Sequence, residues 1–401
     1  MSVDVALALE NRPQGRIRPE LDSLRAVLAE IDNPQLDFPS ILVVGTNGKG
    51  STAVMLDAVL RAHGLRTGLF TSPHLIRVEE RVRLNDAPVG AAMLEKAIGR
   101  FDEFPDLTYF ETLTAAAFSV FSQASVDVAI LEAGMGGSWD ATRVAGSAVA
   151  GLTNIGSDHA LWLGERPDQI ARDKGQALAA AERAVIGSGV DEDLVADLGA
   201  PAARRARSLV RCGDGDGEKV SIRWEGCESI VRLPLPGTFQ RDNVELAVAL
   251  GLEAVRAGMA PELDPELMRA ALENVGWPGR LSVHRIGGRE VLLDCAHNLE
   301  AAQNLARYLG GLDRRFNLLF SCLDDKPVEA MAEVLQVYVD DVVVCQLDDE
   351  RAMPLERLAA AFGGAQTATD LQAGLDRLDD PILAAGSIRL VGALLAMTEA
   401  V

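Results

Sequence analysis

Short apolar runs rich in Val, Ile and Leu alternate along the chain with longer segments whose apolar residues recur about every 3.6 residues. The short runs predict strands at Ile41–Val44, Thr67–Phe70, Val126–Leu131, Val149–Thr153, Val291–Asp294, Asn317–Phe320, Asp341–Cys345 and Ile382–Ala385. The periodic segments predict helices, among them Thr52–His63, Glu111–Phe121 and Leu299–Leu309. Because strands that alternate with helices form parallel sheets covered on both faces, the pattern predicts an α/β protein.

The length of the chain, 401 residues, is enough for two domains of about 100–200 residues each. Turn residues in the segment GWPGR, residues 276–280, separate a long helical region from a new alternation of strands and helices. We therefore predict one domain over residues 1–280 and a second over residues 281–401. The glycine-rich stretch around Cys212–Lys219 predicts a β-hairpin or a surface loop.

Composition narrows the class of protein. The hydrophobic content of 48% and the charged content of 24% are those of a globular protein, which excludes a disordered chain or a collagen-like fibre. The net charge is −21, whereas a protein that binds a nucleic-acid duplex needs a basic surface. We therefore expect no nucleic-acid partner, and an anionic substrate must be met by a local site or a metal ion.

The cysteines and the N-terminus indicate the compartment. The five cysteines are scattered and include no C-x-x-C pair, which argues against a disulfide framework or a structural zinc site and favours a reducing compartment. The sequence begins with MSVDVALALENRPQGR, which lacks the basic and apolar regions of a secretory signal. No run approaches the roughly 18 apolar residues of a membrane span. We therefore expect a soluble cytoplasmic protein without a membrane partner.

Polar side chains follow four of the predicted strands at the point where each strand ends. Ile41–Val44 runs into GTNGKGST, Thr67–Phe70 into TSPH, Val126–Leu131 into Glu132, and Val149–Thr153 into NIGSDH. In open α/β sheets, ligands bind outside the carboxyl ends of the strands. The four strand ends together therefore predict a single site.

The segment GTNGKGST, residues 45–52, is typical of a phosphate-binding loop. Glycines let backbone N–H groups surround phosphate oxygens, the next helix adds a positive dipole, and Lys49 can reach the terminal phosphates. The spacing departs from the strict G-x-x-x-x-G-K-[ST] pattern, because Gly50 separates Lys49 from Ser51. The alternative is a glycine-rich turn that binds no ligand.

Three residues at the strand ends are candidate magnesium ligands, each with a structural alternative. Glu132 ends an apolar strand, as does the acidic residue that holds Mg²⁺ opposite a phosphate loop, but it could instead cap the turn. Ser72 could be an ordinary turn hydroxyl, and His159 a structural histidine. A single imidazole would be an unusual but tolerable magnesium ligand, because Mg²⁺ prefers oxygen.

The second half of the chain contributes three further candidates. Asp294, in the segment DCAHN, could accept a ribose hydroxyl or cap the following helix, and His297 could contact a phosphate or lie on the surface. Arg280 could reach a phosphate, or it could form an ion pair between domains.

These motifs, taken in order, resemble the folylpolyglutamate synthase/dihydrofolate synthase family of the Mur-ligase class of ATP-dependent amide ligases. The resemblance runs from about Gly15 to the C-terminus. The motifs that carry it are NPQ (33–35), GTNGKGST (45–52), TSPHL (71–75), TYFETLTAAAF (108–118), EAGMGG-x-x-DAT (132–142), IGSDH-x-x-x-LG (155–164), PGTFQ-x-x-N (236–243), PGRL (278–281), DCAHN (294–298) and GS-x-x-LVG near the end. The fold that it implies is a P-loop NTPase-like Mur-ligase domain followed by a smaller Rossmann-like C-terminal domain.

The resemblance also implies a role for each residue that matches a motif. It places nucleotide binding on Asn47, Gly48, Lys49, Gly50, Ser51, Thr52, Asn243, Arg280 and Asp294. It implies metal ligands at Ser72, Glu132, His159 and Lys174, where Lys174 would be carbamylated and a second Mg²⁺ would be possible. It places the pterin substrate on Thr108, Tyr109, Phe110, Glu111, Trp139, Asp140 and Ala141, and catalytic roles on Lys49, His159, Lys174 and His297. Without the resemblance, Lys174 in IARDKG would be interpreted as an exposed lysine on a helix.

The chain departs from the family pattern mainly in one loop. Where the pattern is GLGGRLDATN, this chain has GMGGSWDATR, so that Ser138 replaces an arginine, Trp139 a leucine and Arg143 an asparagine. Asp173 and Gly175 flank Lys174 in place of Glu and Ala. Farther along, Cys295 stands where a glycine is usual and Leu299 where a proline is usual. The departures concentrate on the loop that would face the pterin.

The reaction implied is ATP-dependent ligation of L-glutamate to dihydropteroate, a folate, or both, through an acyl phosphate, as in folate biosynthesis and one-carbon metabolism. The cofactors expected are ATP and Mg²⁺, the partners are small molecules only, and we expect a monomer. Two alternatives stay open: a Mur-class ligase with another carboxylate acceptor, such as a peptidoglycan precursor, and a nucleotide-binding regulatory protein without ligase chemistry.

Overall fold

The structure, a computed structural model, describes residues 20–156, 166–214 and 219–399, together with Leu9, Arg12, Pro13 and Gly164. The chain divides into two compact units. The first comprises Met1–Pro234 and Gln240–Val275, and the second comprises Leu235–Phe239 and Gly276–Val401. The functional division at residues 280 and 281 stays a prediction.

The first unit is built on an eight-stranded sheet with the order β4-β3-β2-β5-β1-β6-β7-β8. Its strands are β1 (Ser40–Val44), β2 (Thr67–Phe70), β3 (Val82–Leu84), β4 (Ala87–Pro88), β5 (Val128–Glu132), β6 (Val149–Asn154), β7 (Arg183–Gly189) and β8 (Arg204–Arg205). The six strands from β2 to β8 in this order are parallel, and β3 and β4 add an antiparallel edge. Because β1 and β5 lie centrally, every one of their residues is buried.

Helices cover this sheet and carry the site. They are α1 (Asp22–Glu30), α2 (Lys49–Ala62), α3 (Ala91–Gly99), α4 (Tyr109–Gln123), α5 (Pro167–Ala180), α6 (Glu192–Val195), α7 (Ala206–Leu209), α8 (Gln240–Arg256) and α9 (Pro265–Leu272). Short 3₁₀ turns lie at Pro34–Leu36, Val78–Arg81, Ala141–Ala145 and Ala196–Leu198. Helix α8 packs against both α2 and β7, and α2 is buried from Gly50 to Leu60. Each fully buried Leu or Val of α2 contributes about 1.5–3 kcal/mol to folding. This burial holds α2 in a fixed position on the sheet.

A separate three-stranded antiparallel sheet joins the first unit, in the order β11-β10-β9. Its strands are β9 (Arg211–Asp214), β10 (Lys219–Trp224) and β11 (Cys227–Arg232). The antiparallel pairing of β9 with β10 confirms the hairpin predicted around Cys212–Lys219.

The second unit contains a six-stranded sheet with the order β12-β13-β17-β14-β15-β16. Its strands are β12 (Ser282–Ile286), β13 (Arg289–Leu293), β14 (Phe316–Phe320), β15 (Val339–Cys345), β16 (Gln366–Ala368) and β17 (Ile382–Ala385). Only β12 runs antiparallel to its neighbour. The helices are α10 (Leu299–Leu309), α11 (Val328–Leu335), α12 (Leu355–Ala361), α13 (Leu371–Asp376) and α14 (Ile388–Glu399).

The α/β class predicted from the sequence is confirmed, and all eight predicted strands are present. The sequence missed the edge strands β4, β8, β12 and β16 and the strand β3 next to an edge, which are short or partly exposed. It also missed the mostly buried strand β7. None of the helices in the described ranges is long and apolar enough to cross a membrane.

Candidate active site

The four strands whose ends carry the candidate chemistry are neighbours in the first unit. They lie in the order β2-β5-β1-β6 and are parallel, so that their carboxyl ends share one edge of the sheet. The phosphate loop follows β1, Ser72 follows β2 after one residue, and Glu132 ends β5. His159 lies outside the described residues. The other three groups therefore lie at one edge of the sheet, and their joint role in a single site stays a prediction.

The phosphate loop, residues 45–52, passes directly into helix α2. Gly48 adopts a φ of 81° immediately before the helix begins at Lys49, and a Cβ atom there would lie 2.3 Å from Oδ1 of Asn243. Only glycine fits both the left-handed backbone and the close approach of α8. The first intrahelical hydrogen bond runs from Thr52 N to Gly48 O. The amides of residues 49–51 therefore have no acceptor within the helix, which is the arrangement that binds phosphate oxygens.

The end of β6 holds the phosphate loop in shape. Oδ1 of Asn154 accepts hydrogen bonds from the backbone N–H of Asn47 at 2.9 Å and of Thr46 at 3.2 Å. The hydroxyl of Thr153 donates to the carbonyl of Asn47 at 2.6 Å. These bonds occupy the first amides of the loop, so the amides at the start of α2 are the ones that face a ligand. Sequence analysis did not assign this role to Thr153, the last residue of a predicted strand, or to Asn154, which follows it.

Two lysine side chains bind the same carbonyl oxygen of the loop. Nζ of Lys49 donates to Gly45 O at 3.2 Å and to Thr46 O at 3.1 Å, and Nζ of Lys174 donates to Gly45 O at 2.9 Å. Lys174 is only 3% exposed, so its interpretation as an exposed helix-surface lysine is wrong. Two ammonium groups at one end of the loop create a positive region suited to a polyphosphate.

Close packing of α5 against the loop that follows β5 places Lys174. A Cβ atom at Gly137 would lie 2.7 Å from Cα of Lys174 and 2.8 Å from its carbonyl oxygen. A larger residue at position 137 would therefore push α5 away from the sheet and withdraw the lysine from the phosphate loop.

Ser72 and Glu132 fit the chemistry of a magnesium site. Glu132 is 5% exposed, and its Oε2 accepts a hydrogen bond from the backbone N–H of Ser72 at 3.0 Å. A hydroxyl and a carboxylate on adjacent strands are the oxygen ligands that Mg²⁺ prefers. Within the described residues, no three or more His, Cys, Asp or Glu side chains are grouped to hold a metal ion. Beyond these two groups, the candidate ligands of a bound Mg²⁺ are His159, which lies outside the described residues, substrate phosphate and water.

Residues of the predicted pterin-binding segment also stabilise the start of α4. Thr108 and Glu111 form a reciprocal capping box: Oε2 of Glu111 accepts from Thr108 N at 2.8 Å, and Oγ1 of Thr108 accepts from Glu111 N at 3.3 Å. The Phe110 ring packs against Phe70 with centroids 5.8 Å apart, and the Arg81 guanidinium lies 5.3 Å from the centroid of Tyr109. Both aromatic residues are half-buried, so part of each side chain remains exposed.

We call residues 134–143, which follow β5, the acceptor loop. Asp140 is buried, and its Oδ1 accepts from Thr142 N at 3.0 Å and from the Thr142 hydroxyl at 2.5 Å, while its Oδ2 accepts from Met135 N at 2.9 Å. Burial raises the pKa of Asp140 despite these hydrogen bonds. Its carboxylate closes the loop on itself, Ala141 is buried, and Trp139 is half-buried.

Two of the three departures from the family pattern in this loop form one connected network with Asp173. The Ser138 hydroxyl donates to Oδ1 of Asp173, and Nη1 of Arg143 donates to the carbonyl of Ser138. The other oxygen of Asp173, Oδ2, is buried and has no hydrogen-bond partner in the described part of the chain. Because Asp173 precedes Lys174, this network joins the acceptor loop to the helix that carries Lys174.

The candidates of the second unit surround the carboxyl end of β13. Asp294 is buried, with Oδ1 accepting from Ala296 N at 2.9 Å and Oδ2 from Leu281 N at 3.1 Å. Burial raises the pKa of Asp294, while Arg280 and His297 act to lower it. The alternative that Asp294 caps the helix is wrong, because Asn298 is the cap of α10. Nδ1 of His297 donates to Cys295 O at 2.8 Å.

The structure adds Gln240, a residue that sequence analysis quoted in a motif without a role. Its Oε1 accepts from Nδ2 of Asn243 at 2.8 Å, which orients the Asn243 amide beside Gly48. Its Nε2 is buried and lacks a partner among the described residues. Its spacing of three residues from Asn243 on one helix face was the available signal.

Known protein families and relatives match most of the chain. Residues 43–251 match the Mur ligase middle domain, and residues 279–391 match the glutamate ligase domain of Mur ligases. The chain is 35% identical to the dihydrofolate synthase/folylpolyglutamate synthase of Mycobacterium tuberculosis, over 88% of this chain and 79% of that protein. It is 32% identical to a probable bifunctional folylpolyglutamate synthase/dihydropteroate synthase of Haloferax volcanii, over 94% of this chain but only 48% of that protein. The chain thus spans about half the length of that longer relative.

Solved structures agree in fold. Folylpolyglutamate synthase of Mycobacterium tuberculosis, complexed with ADP and AMPPCP, has a TM-score of 0.87 and 33% identity over 98% of this chain and 97% of that one. A bifunctional folylpolyglutamate synthase/dihydrofolate synthase with Mn, AMPPNP and L-glutamate bound has a TM-score of 0.86 and 28% identity over 99% and 98%. The phosphate loop, the paired lysines and these likenesses together lead to one conclusion: the chain belongs to the folylpolyglutamate synthase/dihydrofolate synthase family of Mur ligases.

Proposed function

We propose that the chain ligates L-glutamate to the carboxylate of dihydropteroate, a folate, or both, and converts ATP to ADP and phosphate. The observation that carries this proposal is the convergence of Lys49 and Lys174 on one carbonyl of the phosphate loop, beside free-facing amides at the start of α2. Relatives with the same fold hold ADP, ATP analogues and L-glutamate.

The phosphate loop binds the ATP phosphates in this proposal. The backbone amides of residues 49–51 and the ammonium of Lys49 donate to the phosphate oxygens. The other residues of the loop, Gly48 and Thr52, shape it around the phosphates. Asn47 holds the loop through its bond to Asn154, and Asn243 contacts the nucleotide from α8. The nucleotide contacts proposed for the second unit are those of Arg280 and Asp294 with phosphate and ribose, and of His297 with a phosphate.

The reaction proceeds in two displacements. The acceptor carboxylate attacks the γ-phosphorus, the bond to the bridging oxygen breaks, and ADP leaves. The amine of L-glutamate then attacks the carbonyl carbon of the acyl phosphate, the carbon–oxygen bond to phosphate breaks, and the nitrogen loses a proton. Because anionic reactants must approach one another, positioning and positive charge supply most of the catalysis.

Ser72 and Glu132 hold Mg²⁺ in this scheme, with His159 as a third ligand. The ion, when bound, neutralises charge on the phosphates. The Glu132 carboxylate is oriented for this role by the hydrogen bond that it accepts from the backbone N–H of Ser72.

We further propose that Lys174 acts as a carbamate. The neutral amine would form a nitrogen–carbon bond to CO₂ and release a proton, which gives an anionic group able to hold a second Mg²⁺. A carbamate nitrogen keeps one N–H, so the hydrogen bond to Gly45 O at 2.9 Å is compatible with the modification. Its burial excludes bulk water from that group.

The acceptor lies against Tyr109 and Phe110, with Thr108, Glu111, Trp139, Asp140 and Ala141 shaping its pocket. The domain of residues 1–280 carries the phosphate loop and the acceptor segments, and residues 281–401 form the C-terminal domain. The enzyme acts in the cytoplasm as a monomer.

Phosphate release from ATP tests this proposal. We expect release that requires both L-glutamate and a pterin acid, with dihydropteroate and tetrahydrofolate assayed separately to assign the acceptor. Release that needs neither amino acid nor acceptor, or a preference for a nucleotide-linked peptide, would contradict it.

A further inference from the structure

A basic segment of the first unit has no part in the proposed reaction. Residues 204–211, RRARSLVR, contain four arginines and no carboxylate, in a chain whose net charge is −21. They cover the end of β8, the short helix α7 and the first residue of β9. So dense a cationic segment in an acidic protein needs a physical reason.

Three of these arginines line a cavity of about 490 Å³. Its walls are Arg205, Arg207, Ser208, Arg211, Cys212 and Glu245. The Ser208 hydroxyl already donates to Arg205 O at 2.6 Å. The donors that remain for a ligand are therefore guanidinium groups, which favour an anion with several acceptor oxygens.

Of the three guanidinium nitrogens of Arg205, one is hydrogen-bonded and two lack an acceptor among the described residues. Its Nη2 donates to Val190 O at 3.1 Å and to Glu192 Oε1 at 3.0 Å. Its Nε and Nη1 are buried, and neither has a hydrogen-bond partner in the described ranges. A buried donor without an acceptor is costly, and a bound oxyanion would remove that cost.

The carboxylates near the cavity do not neutralise it. Glu192 is shared between Arg205 and Arg207, and Arg211 makes no ion pair with any residue that the structure describes. Glu245 is held by neutral donors, the Ser188 hydroxyl and the backbone N–H of Cys212. Asp242 and Arg241, next to one another on α8, also act electrostatically on Cys212, with opposite signs. Counting both, four guanidinium groups face three carboxylates, and Glu245 is already bound to other groups.

The cavity is separate from the phosphate loop. Asn243 of α8 faces Gly48, and Glu245 of the same helix faces the cavity. Two residues apart on a helix, these side chains point about 200° away from each other. The two regions therefore lie on different sides of α8.

We propose that this cavity is a second anion site that binds a phosphate group, either free phosphate or the phosphate of a small phosphomonoester. The tetrahedral dianion offers enough oxygens to accept from Arg205, Arg207 and Arg211 together, whereas a single carboxylate offers only two. The anchoring of Arg205 by Val190 and Glu192 holds its guanidinium in place before the ligand arrives.

Cys212 provides a local test, because it lines the cavity and is half-buried, whereas Cys227 is also half-buried but is not among the cavity residues. Alkylation of each thiol by iodoacetamide at alkaline pH is followed by peptide mass spectrometry over a range of phosphate concentrations. We expect phosphate to slow the reaction of Cys212 several-fold and to leave that of Cys227 unchanged. Glycerol 3-phosphate replaces phosphate in a second arm, and acetate and chloride at equal ionic strength serve as controls.

Arg205→Gln and Arg211→Gln should each raise the phosphate concentration for half-protection about tenfold, as expected for loss of a charge-assisted hydrogen bond. Arg357→Gln, which removes an exposed arginine paired with Glu329 in the second unit, is the matched control and should leave it unchanged. Protection should persist in Lys49→Ala, which separates this site from the phosphate loop. Arg211 is exposed, so its variant tests the proposal even where Arg205→Gln fails to fold.

Equilibrium dialysis of radiolabelled phosphate against the Lys49→Ala protein gives a measure that does not depend on thiol reactivity. We expect binding that Arg211→Gln weakens. Equal slowing of both cysteines, equal protection by chloride, or phosphate binding that neither arginine variant changes would overturn the proposal.

Discussion

The phosphate loop and the acceptor loop follow neighbouring strands, β1 and β5, yet they use their charged side chains in opposite ways. In the phosphate loop, the ammonium of Lys49 binds two backbone carbonyl oxygens, which are neutral partners that a phosphate oxygen outcompetes. In the acceptor loop, both oxygens of Asp140 are taken up by N–H and hydroxyl groups of the loop itself. The ammonium of Lys49 is available to a ligand, whereas the carboxylate of Asp140 stabilises the conformation of its own loop.

This difference separates residues that touch the reacting groups from residues that position others. Thr108 and Glu111 behave like Asp140, since they satisfy each other at the start of α4. A polar residue in a ligand-binding motif can therefore owe its place to a turn or a helix end. Substitution should distinguish the two kinds: loss of turnover in a stable protein for the phosphate loop, and loss of stability for the acceptor loop.

Lys49→Ala should have the largest effect on turnover. Removing one preorganised electrostatic group lowers kcat by about 10²-fold or more. Because Lys49 bonds only to loop carbonyls, the melting temperature should stay close to that of the wild type. Lys96→Ala, at an exposed position on α3, is the matched control. Near-normal turnover in folded Lys49→Ala would remove the phosphate loop from the mechanism.

Lys174→Ala should be almost as inactive, and millimolar-scale acetate or formate should restore part of the activity by occupying the space of the carbamate. The wild type should also lose activity when CO₂ and bicarbonate are removed. A Lys174→Ala protein that no short carboxylate rescues, together with a wild type indifferent to CO₂, would leave Lys174 as an ammonium that binds Gly45 O.

Glu132→Gln should raise the Mg²⁺ concentration needed for half-maximal activity, because the amide supplies a neutral oxygen in place of a carboxylate. His159→Ala should raise it less, since Mg²⁺ prefers oxygen ligands. Titration of Mg²⁺ at saturating ATP measures both. Unchanged magnesium dependence in both variants would show that the metal binds elsewhere.

Asp140→Asn tests the structural side of the comparison. The amide turns one acceptor into a donor, so the free energy of unfolding should fall by about 1–3 kcal/mol, while kcat falls less than in Lys49→Ala. Burial raises the pKa of Asp140 above its usual 3.8, so the folded state binds this proton more tightly than the unfolded state. The stability of the wild type relative to the variant is therefore greatest below pH 3.8 and falls as the pH rises through the folded pKa.

Urea denaturation of both proteins between about pH 3 and pH 7 measures this difference. A difference that grows as the pH rises would contradict the assigned direction of the pKa shift.

Ser138→Ala should have the smallest effect. It removes the donor to Oδ1 of Asp173, whose other oxygen has no partner in the described residues, and the loss should be about 1 kcal/mol of stability. A change in KM for the acceptor that exceeds the change in KM for ATP would extend the role of this loop to acceptor binding.

The strands that carry the site could be predicted from the sequence, whereas most of the local contacts within the site could not. The apolar runs of β1, β2, β5 and β6 are buried and regular, so their ends could be located, and ligands gather at such ends. The sequence could not show that Lys174 binds Gly45 O, because that contact spans 129 positions of the chain. Nor could it show that Asn298 rather than Asp294 caps α10, since both residue types serve as caps.

Transfer of oxygen from the acceptor to phosphate tests the central claim most directly. If an acyl phosphate forms, a pterin acid labelled with ¹⁸O in its carboxylate must pass one labelled oxygen to each phosphate released in the presence of ATP and L-glutamate. We expect mass spectrometry of the phosphate to show this label in the wild type, and in the small residual product of Lys49→Ala. Phosphate without label would contradict attack by the carboxylate on ATP and with it the assignment of the phosphate loop to that step.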